Sequence, residues 1–162
     1  MHCRDGAVGP TRLAVNARIG RFVVNSSQQI AIVAGGDRGP RRVLVDVTSE
    51  SAGALATEVA SRGRLDLIGF HCQLGDAGDD AARSAVFDMV GQMSRIRREY
   101  GVILTRLSFA EDEASDWRCE RSDVSRVAEV LNDAVEDASA RYRYPQPVLV
   151  LSPRRSALLP AR

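Results

Sequence analysis

Short apolar segments alternate along the chain with stretches in which apolar residues recur every three or four positions. Continuous β-branched and aliphatic runs bounded by glycine, serine or proline are typical of buried strands. Such runs predict strands at residues 21–25, 43–47, 65–70, 102–109 and 148–151. The third run is followed at once by His-Cys-Gln-Leu-Gly (residues 71–75), so we expect this strand to stop at His71 and to place polar groups at one edge of a sheet.

Helices are predicted between these strands. Ser26 and Gln29 have the spacing of a capping box, and a short helix is expected to follow them and to stop at Gly35. A helix of small residues is predicted around residues 54–62. Two longer helices each show one apolar face. The first is expected to end at Gly101. Their apolar residues are Val86, Met89, Val90, Met93, Ile96 and Tyr100 in the first, and Val124, Val127, Leu131, Val135 and Ala138 in the second.

The alternation of strands and helices predicts an α/β fold. It implies βαβ units, a mainly parallel sheet and right-handed crossovers. Five strands in 162 residues fall short of a closed (β/α)8 barrel, which typically needs about 250 residues. We therefore predict about five parallel strands in one domain over residues 19–162. Residues 1–18 stay unassigned, apart from a short helix around residues 11–17.

The composition excludes several functional classes. All 22 basic residues are arginine, and without a lysine amine the chain cannot form a Schiff base with an aldehyde cofactor by the usual route. The net charge of +1 gives no overall attraction to nucleic acid or to an anionic membrane. No apolar run approaches the ~18 residues of a membrane span. The three cysteines show no C-x-x-C spacing, which indicates neither disulfides nor zinc and favours a reducing cytoplasm.

Several residues are candidates for chemistry, each beside a structural alternative. His71 is either a ligand-facing residue or a hydrogen-bonded strand-end histidine, and Cys72 should turn to the other face as a small core residue. The acidic segment 110–116 offers oxygen ligands for a divalent cation, but its spacing differs from an EF-hand loop, so a solvated loop is favoured. Arg154 and Arg155 either hold a phosphate or carboxylate or form an exposed basic pair.

Four segments carry recognisable motifs in a fixed order. They are Ile19–Ser26, a strand ending in Asn-Ser; Leu67–Gly75, which contains Gly-Phe-His-Cys-Gln-Leu-Gly; Tyr100–Leu107; and Val148–Arg155, a strand followed by Ser-Pro-Arg-Arg. Together they resemble the pyridoxal-phosphate-binding barrel of the fold-type III decarboxylases, most closely diaminopimelate decarboxylase. The resemblance implies a partial (β/α) barrel of the alanine racemase-like type, made of the later strands. It also implies pyridoxal 5′-phosphate as cofactor and decarboxylation of meso-diaminopimelate to lysine as the family reaction.

The resemblance also assigns the positions that would contact the cofactor. They are His71, Gln73, Asp76, Glu111, Asp112, Ser152, Pro153, Arg154 and Arg155. Arg155 falls where the family also contacts its substrate. Gln73 lacks the aromatic face of the family's stacking histidine, and Ser152 replaces the glutamate that pairs with the pyridinium nitrogen. The segment 110–112 brings two carboxylates to the place of a glycine triplet whose amides approach the phosphate.

We assign no catalytic residue and no metal ligand, and we expect this chain to be inactive by itself. One alternative is a non-enzymatic half-barrel module, whose open sheet edges would pair with a complementary barrel fragment or form a homodimer. Another is a doubly wound α/β domain that binds a small anion at its strand ends, which strand order would distinguish. Neither nucleic acid nor a membrane is an expected partner.

Overall fold

Helices and strands alternate through the chain as the apolar pattern predicts. The computed structural model describes residues 8–17, 19–36, 39–48, 51–74, 78–111 and 121–152. The elements are α1 (Val8–Asn16), β1 (Arg21–Val24), α2 (Ser27–Ala34), β2 (Arg41–Asp46), α3 (Ala52–Ala60), β3 (Leu65–Leu74), α4 (Gly78–Tyr100), β4 (Arg106–Glu111), α5 (Arg121–Tyr142) and β5 (Val148–Ser152). None of these helices combines the length and the apolar content needed to cross a membrane.

The described strands form one parallel sheet in the order β1-β2-β3-β4-β5. The predicted α/β class with five parallel strands is therefore confirmed. A doubly wound domain has a switch point at which the strand order reverses. Here the spatial order follows the chain order throughout, as it does in a (β/α) barrel, so the doubly wound alternative is wrong.

Contacts divide the chain into two units. The first comprises Met1–His71 with Ile96–Leu104, and the second comprises Cys72–Arg95 with Thr105–Arg162. In the first unit, apolar residues of the strands and of α2 and α3 form the core. Its buried members include Phe22, Val24, Ile30, Val33, Val43, Val45, Leu55, Ala56, Val59 and Phe70. The helix predicted around residues 11–17 is present as α1, which begins three residues before the predicted start.

Helix α2 begins and ends where the sequence predicts. The hydroxyl oxygen of Ser26 accepts the backbone N–H of Gln29 at 3.4 Å, which is one half of a capping box. In a complete capping box the Gln29 side chain would accept the N–H of Ser26. Here its oxygen accepts the N–H of the preceding residue, Asn25, at 2.9 Å. The helix ends at Gly35, whose N–H donates to the carbonyl of Ala31.

Strand β3 contains a β-bulge that changes which residues face each other. Val43 of β2 pairs with Leu67, but the next residue, Leu44, pairs with Gly69, so Ile68 is an extra residue in β3. Each side chain of β3 after the bulge therefore lies on the face opposite to the one that uninterrupted alternation from Leu67 would give. The strand also continues to Leu74, so the predicted stop at His71 is wrong. Alternation explains the extension, since the apolar neighbours Cys72 and Leu74 remain buried on the face opposite His71.

The predicted apolar face of α4 is buried as far as Ile96, whereas Tyr100 at its end is 43% exposed. In α5 the predicted face is buried from Leu131 onward, whereas Val124 and Val127 are only half-buried. The two helices approach closely at Gly91, where a Cβ atom would lie 3.2 Å from the ring carbon Cζ and the hydroxyl of Tyr142. The buried residues include Val86, Met89, Val90, Met93, Leu131, Val135 and Ala138. The small residue at position 91 therefore permits the contact with α5.

Strand β4 is displaced from its predicted range of 102–109. It begins at Arg106, which pairs with Val148, and it includes Ala110 and Glu111, which had been predicted as loop residues. The pairing with β5 explains both shifts. Before Val148 the partner segment contains Pro145 and Pro147, which have no N–H to donate to a ladder. After Val148 the pairing continues without interruption as far as Ala110 and Ser152.

Candidate functional site

Three polar residues come to one level of the sheet at the point where β1 and β2 end and β3 continues. Asp46, the last residue of β2, pairs in register with His71 of β3. Val24 of β1 pairs with Val45, so the following residue, Asn25, comes at the register position of Asp46. We call Asn25, Asp46 and His71 the polar row. Ligands of parallel α/β proteins bind at this edge, which makes the row the candidate site of the first unit.

Asp46 is a buried carboxylate held by local hydrogen bonds. Its side chain is 7% exposed. The oxygen Oδ1 accepts the backbone N–H of Thr48 at 3.0 Å and the Thr48 hydroxyl at 2.7 Å. This Asx-turn arrangement fixes the direction of the chain as it leaves β2. Two hydrogen-bond donors to one carboxyl oxygen compensate part of the cost of burying this polar group.

His71 lies within β3 and is fully buried. Its backbone carbonyl accepts the N–H of Val47 at 2.8 Å, which joins the end of β2 to β3. The sequence left two interpretations for this residue, a ligand-facing side chain and a structural one. The imidazole is completely buried, so no ring atom is exposed at the sheet edge.

The other residues of the third-strand motif behave as alternation predicts. Cys72 is a buried thiol, 8% exposed, and its Sγ donates to the carbonyl of Gln73 at 3.6 Å. This confirms the prediction of a small core residue. Gln73 is half-buried and, two residues after His71, shares its face of the strand. Asp76 lies outside the described residues.

In the second unit, the ends of β4 and β5 bring two of the predicted positions together. Ala110 pairs in register with Ser152, which is the last residue of β5 and is exposed, whereas Ala110 is buried. Glu111 follows as the last residue of β4, and its side chain lies outside the described part. The remaining predicted residues, Asp112, Pro153, Arg154 and Arg155, also lie outside the described residues.

Among the described positions, Ala110 and Ser152 do not fit the roles that the resemblance would require of them towards pyridoxal 5′-phosphate. A phosphate-binding glycine triplet needs backbone amides that face a ligand across open space. Here Ala110 carries a buried Cβ and is paired with β5 within the sheet. Ser152 presents a neutral hydroxyl, which cannot supply the negative charge that supports a pyridinium nitrogen.

Across the described ranges, no three histidine, cysteine or acidic side chains come together as metal ligands. The acidic segment 112–116, the candidate cation loop, falls outside those ranges. The sequence-based interpretation missed Asn25, Asp46 and Thr48. The signal was present, since an Asn-Ser and an Asp-x-Thr directly after buried strands are typical of turns that start at the carboxyl edge of a sheet.

Comparison by sequence finds no match, since no protein-family model and no curated protein matches the chain. Comparison by structure finds decarboxylases. Lysine decarboxylase from Selenomonas ruminantium superposes with a TM-score of 0.65 and 18% identity, over 88% of this chain and 39% of that one. Lysine/ornithine decarboxylase from Vibrio vulnificus, complexed with putrescine, gives 0.66 and 14%, over 88% and 40%.

Diaminopimelate decarboxylase from M. jannaschii, in complex with L-lysine, gives a TM-score of 0.66 and 14% identity, over 91% of this chain and 41% of that one. The chain thus spans about two-fifths of the length of the proteins that it matches. At such low identity the likeness concerns the fold. The chain has the α/β half-barrel fold of the pyridoxal-phosphate-dependent fold-type III decarboxylases.

Proposed function

We propose that this chain is a diverged half-barrel of the decarboxylase type, most similar in its motifs to diaminopimelate decarboxylase, and that its 162 residues do not catalyse decarboxylation by themselves. The observation that carries the proposal is the absence of lysine among these residues. Decarboxylases of this kind depend on a Schiff base to hold and activate an amino acid, and a chain without a lysine amine cannot supply it.

The paired ends of β4 and β5 support the same proposal independently of the missing lysine. Ala110, in register with Ser152, belongs to the sheet ladder. Opening this position for a phosphate would break main-chain pairing and expose a buried residue. We therefore propose that any cofactor affinity of this chain is weak and non-covalent.

The chain is proposed to reside in the cytoplasm. Cys72 is a thiol buried in β3, and the cysteine spacing favours a reducing compartment over an oxidising one. The proposal predicts that exposure to oxidant has no stabilising effect on the fold.

The test of the proposed function is a cofactor and turnover assay on the purified chain. The chain is mixed with pyridoxal 5′-phosphate, its visible absorbance is recorded, and borohydride is added to fix any imine before mass spectrometry. Carbon dioxide release is measured with meso-diaminopimelate, L-lysine and ornithine. We expect neither a fixed adduct within the chain nor carbon dioxide above the rate of free cofactor. The Selenomonas ruminantium lysine decarboxylase serves as the positive control.

Two results would differ in what they mean for this proposal. An adduct on the α-amine of the first residue would be non-specific labelling, and peptide mapping identifies it. Stoichiometric release of carbon dioxide from any of the three amino acids would overturn the proposed inactivity. The structural likeness to the decarboxylases would be unaffected.

A further inference from the structure

We draw no further inference here: the strongest candidate, the polar row of Asn25, Asp46 and His71 where β1 and β2 end, belongs to the candidate site already described, and no other group among the described residues shows which ligand the row would take.

Discussion

Asp46 of β2 lies directly opposite His71 of β3. If the pairing continued from Val43 and Leu67 without a bulge, Asp46 would lie opposite Phe70. The extra residue Ile68 shifts the register by one, so Asp46 comes level with His71 instead. One bulged residue therefore decides whether the carboxyl edge of the first unit is polar or aromatic.

The hydrogen bonds from Thr48 make Asp46 important for stability. We expect Asp46→Ala to lower the free energy of unfolding by about 1–3 kcal/mol, because the Thr48 donors lose their acceptor. Asp46→Asn keeps an acceptor oxygen and should cost less. Urea denaturation measures the difference. Asp66→Ala, at an exposed position of β3, is the control and should change stability by no more than about 0.5 kcal/mol. Equal effects at positions 46 and 66 would contradict this account.

Arg41 should stabilise the carboxyl end of α2. Its guanidinium donates to the carbonyl of Val33 at 2.6 Å, one residue before the end of the helix. A cation at this end also interacts favourably with the helix dipole. Arg41→Met retains much of the aliphatic stem and should cost about 0.5–1.5 kcal/mol. Arg42→Met, an exposed neighbour on the same strand, should be nearly neutral in the same thermal unfolding experiment.

Gly36 provides a second test of the same contact. A Cβ atom at this position would overlap the Arg41 guanidinium. Gly36→Ala should therefore displace Arg41 from the Val33 carbonyl and lower the melting temperature. In the Arg41→Met background the same substitution should have a smaller effect, because coupled residues are non-additive. Additive effects in this double-mutant cycle would show that the two residues act separately.

Gly91 should be required for close packing of α4 against Tyr142. Gly91→Val introduces branched carbons where even a Cβ would be 3.2 Å from the ring. We expect a loss of about 1–3 kcal/mol from overpacking. Tyr142→Leu removes the contacting hydroxyl and should reduce the penalty of Gly91→Val. Gly63→Ala, where nothing lies within 4 Å, is the glycine control, and a comparable loss there would exclude packing as the cause.

The end of α4 depends on the backbone of Gly101. This residue has φ of +69°, and its N–H donates to the carbonyl of Arg97 at 3.0 Å. An L side chain is disfavoured in this left-handed conformation, so Gly101→Ala should cost about 1–2 kcal/mol. Gly101→Asn should cost less, since asparagine tolerates that region better. Chemical denaturation of the two variants distinguishes these outcomes. Equal stability of both variants and the parent would contradict a left-handed helix end.

Local patterns in the sequence were enough to locate the main elements. Apolar runs located the five strands to within a few residues. Three-to-four spacing gave most of the buried faces of α4 and α5, because it depends on which side of a helix faces the core. The Ser26 cap and the Gly35 and Gly101 helix ends were also predictable, since they depend on residues within one turn. The similarity of four motif segments to decarboxylases anticipated the half-barrel fold that the structural comparisons show.

The candidate site was predictable only in part. His71 and Gln73 were predicted at the end of a strand, and both lie within β3. Asn25 and Asp46 were missed because each belongs to a different strand, and only the parallel register of β1, β2 and β3 aligns them with His71. The loop assignment of Ala110 and Glu111 was wrong because their strand conformation depends on β5, some forty residues later in the chain.

The sequence by itself determined the α/β class, the order of the elements and the absence of a Schiff-base lysine, because these follow from composition and from periodicity within short segments. The tertiary structure decided the order of the strands, the bulge at Ile68 and the burial of His71. Those features depend on pairing between residues far apart in the chain, where hydrogen bonds and packing across strands, and not local preference, select the arrangement.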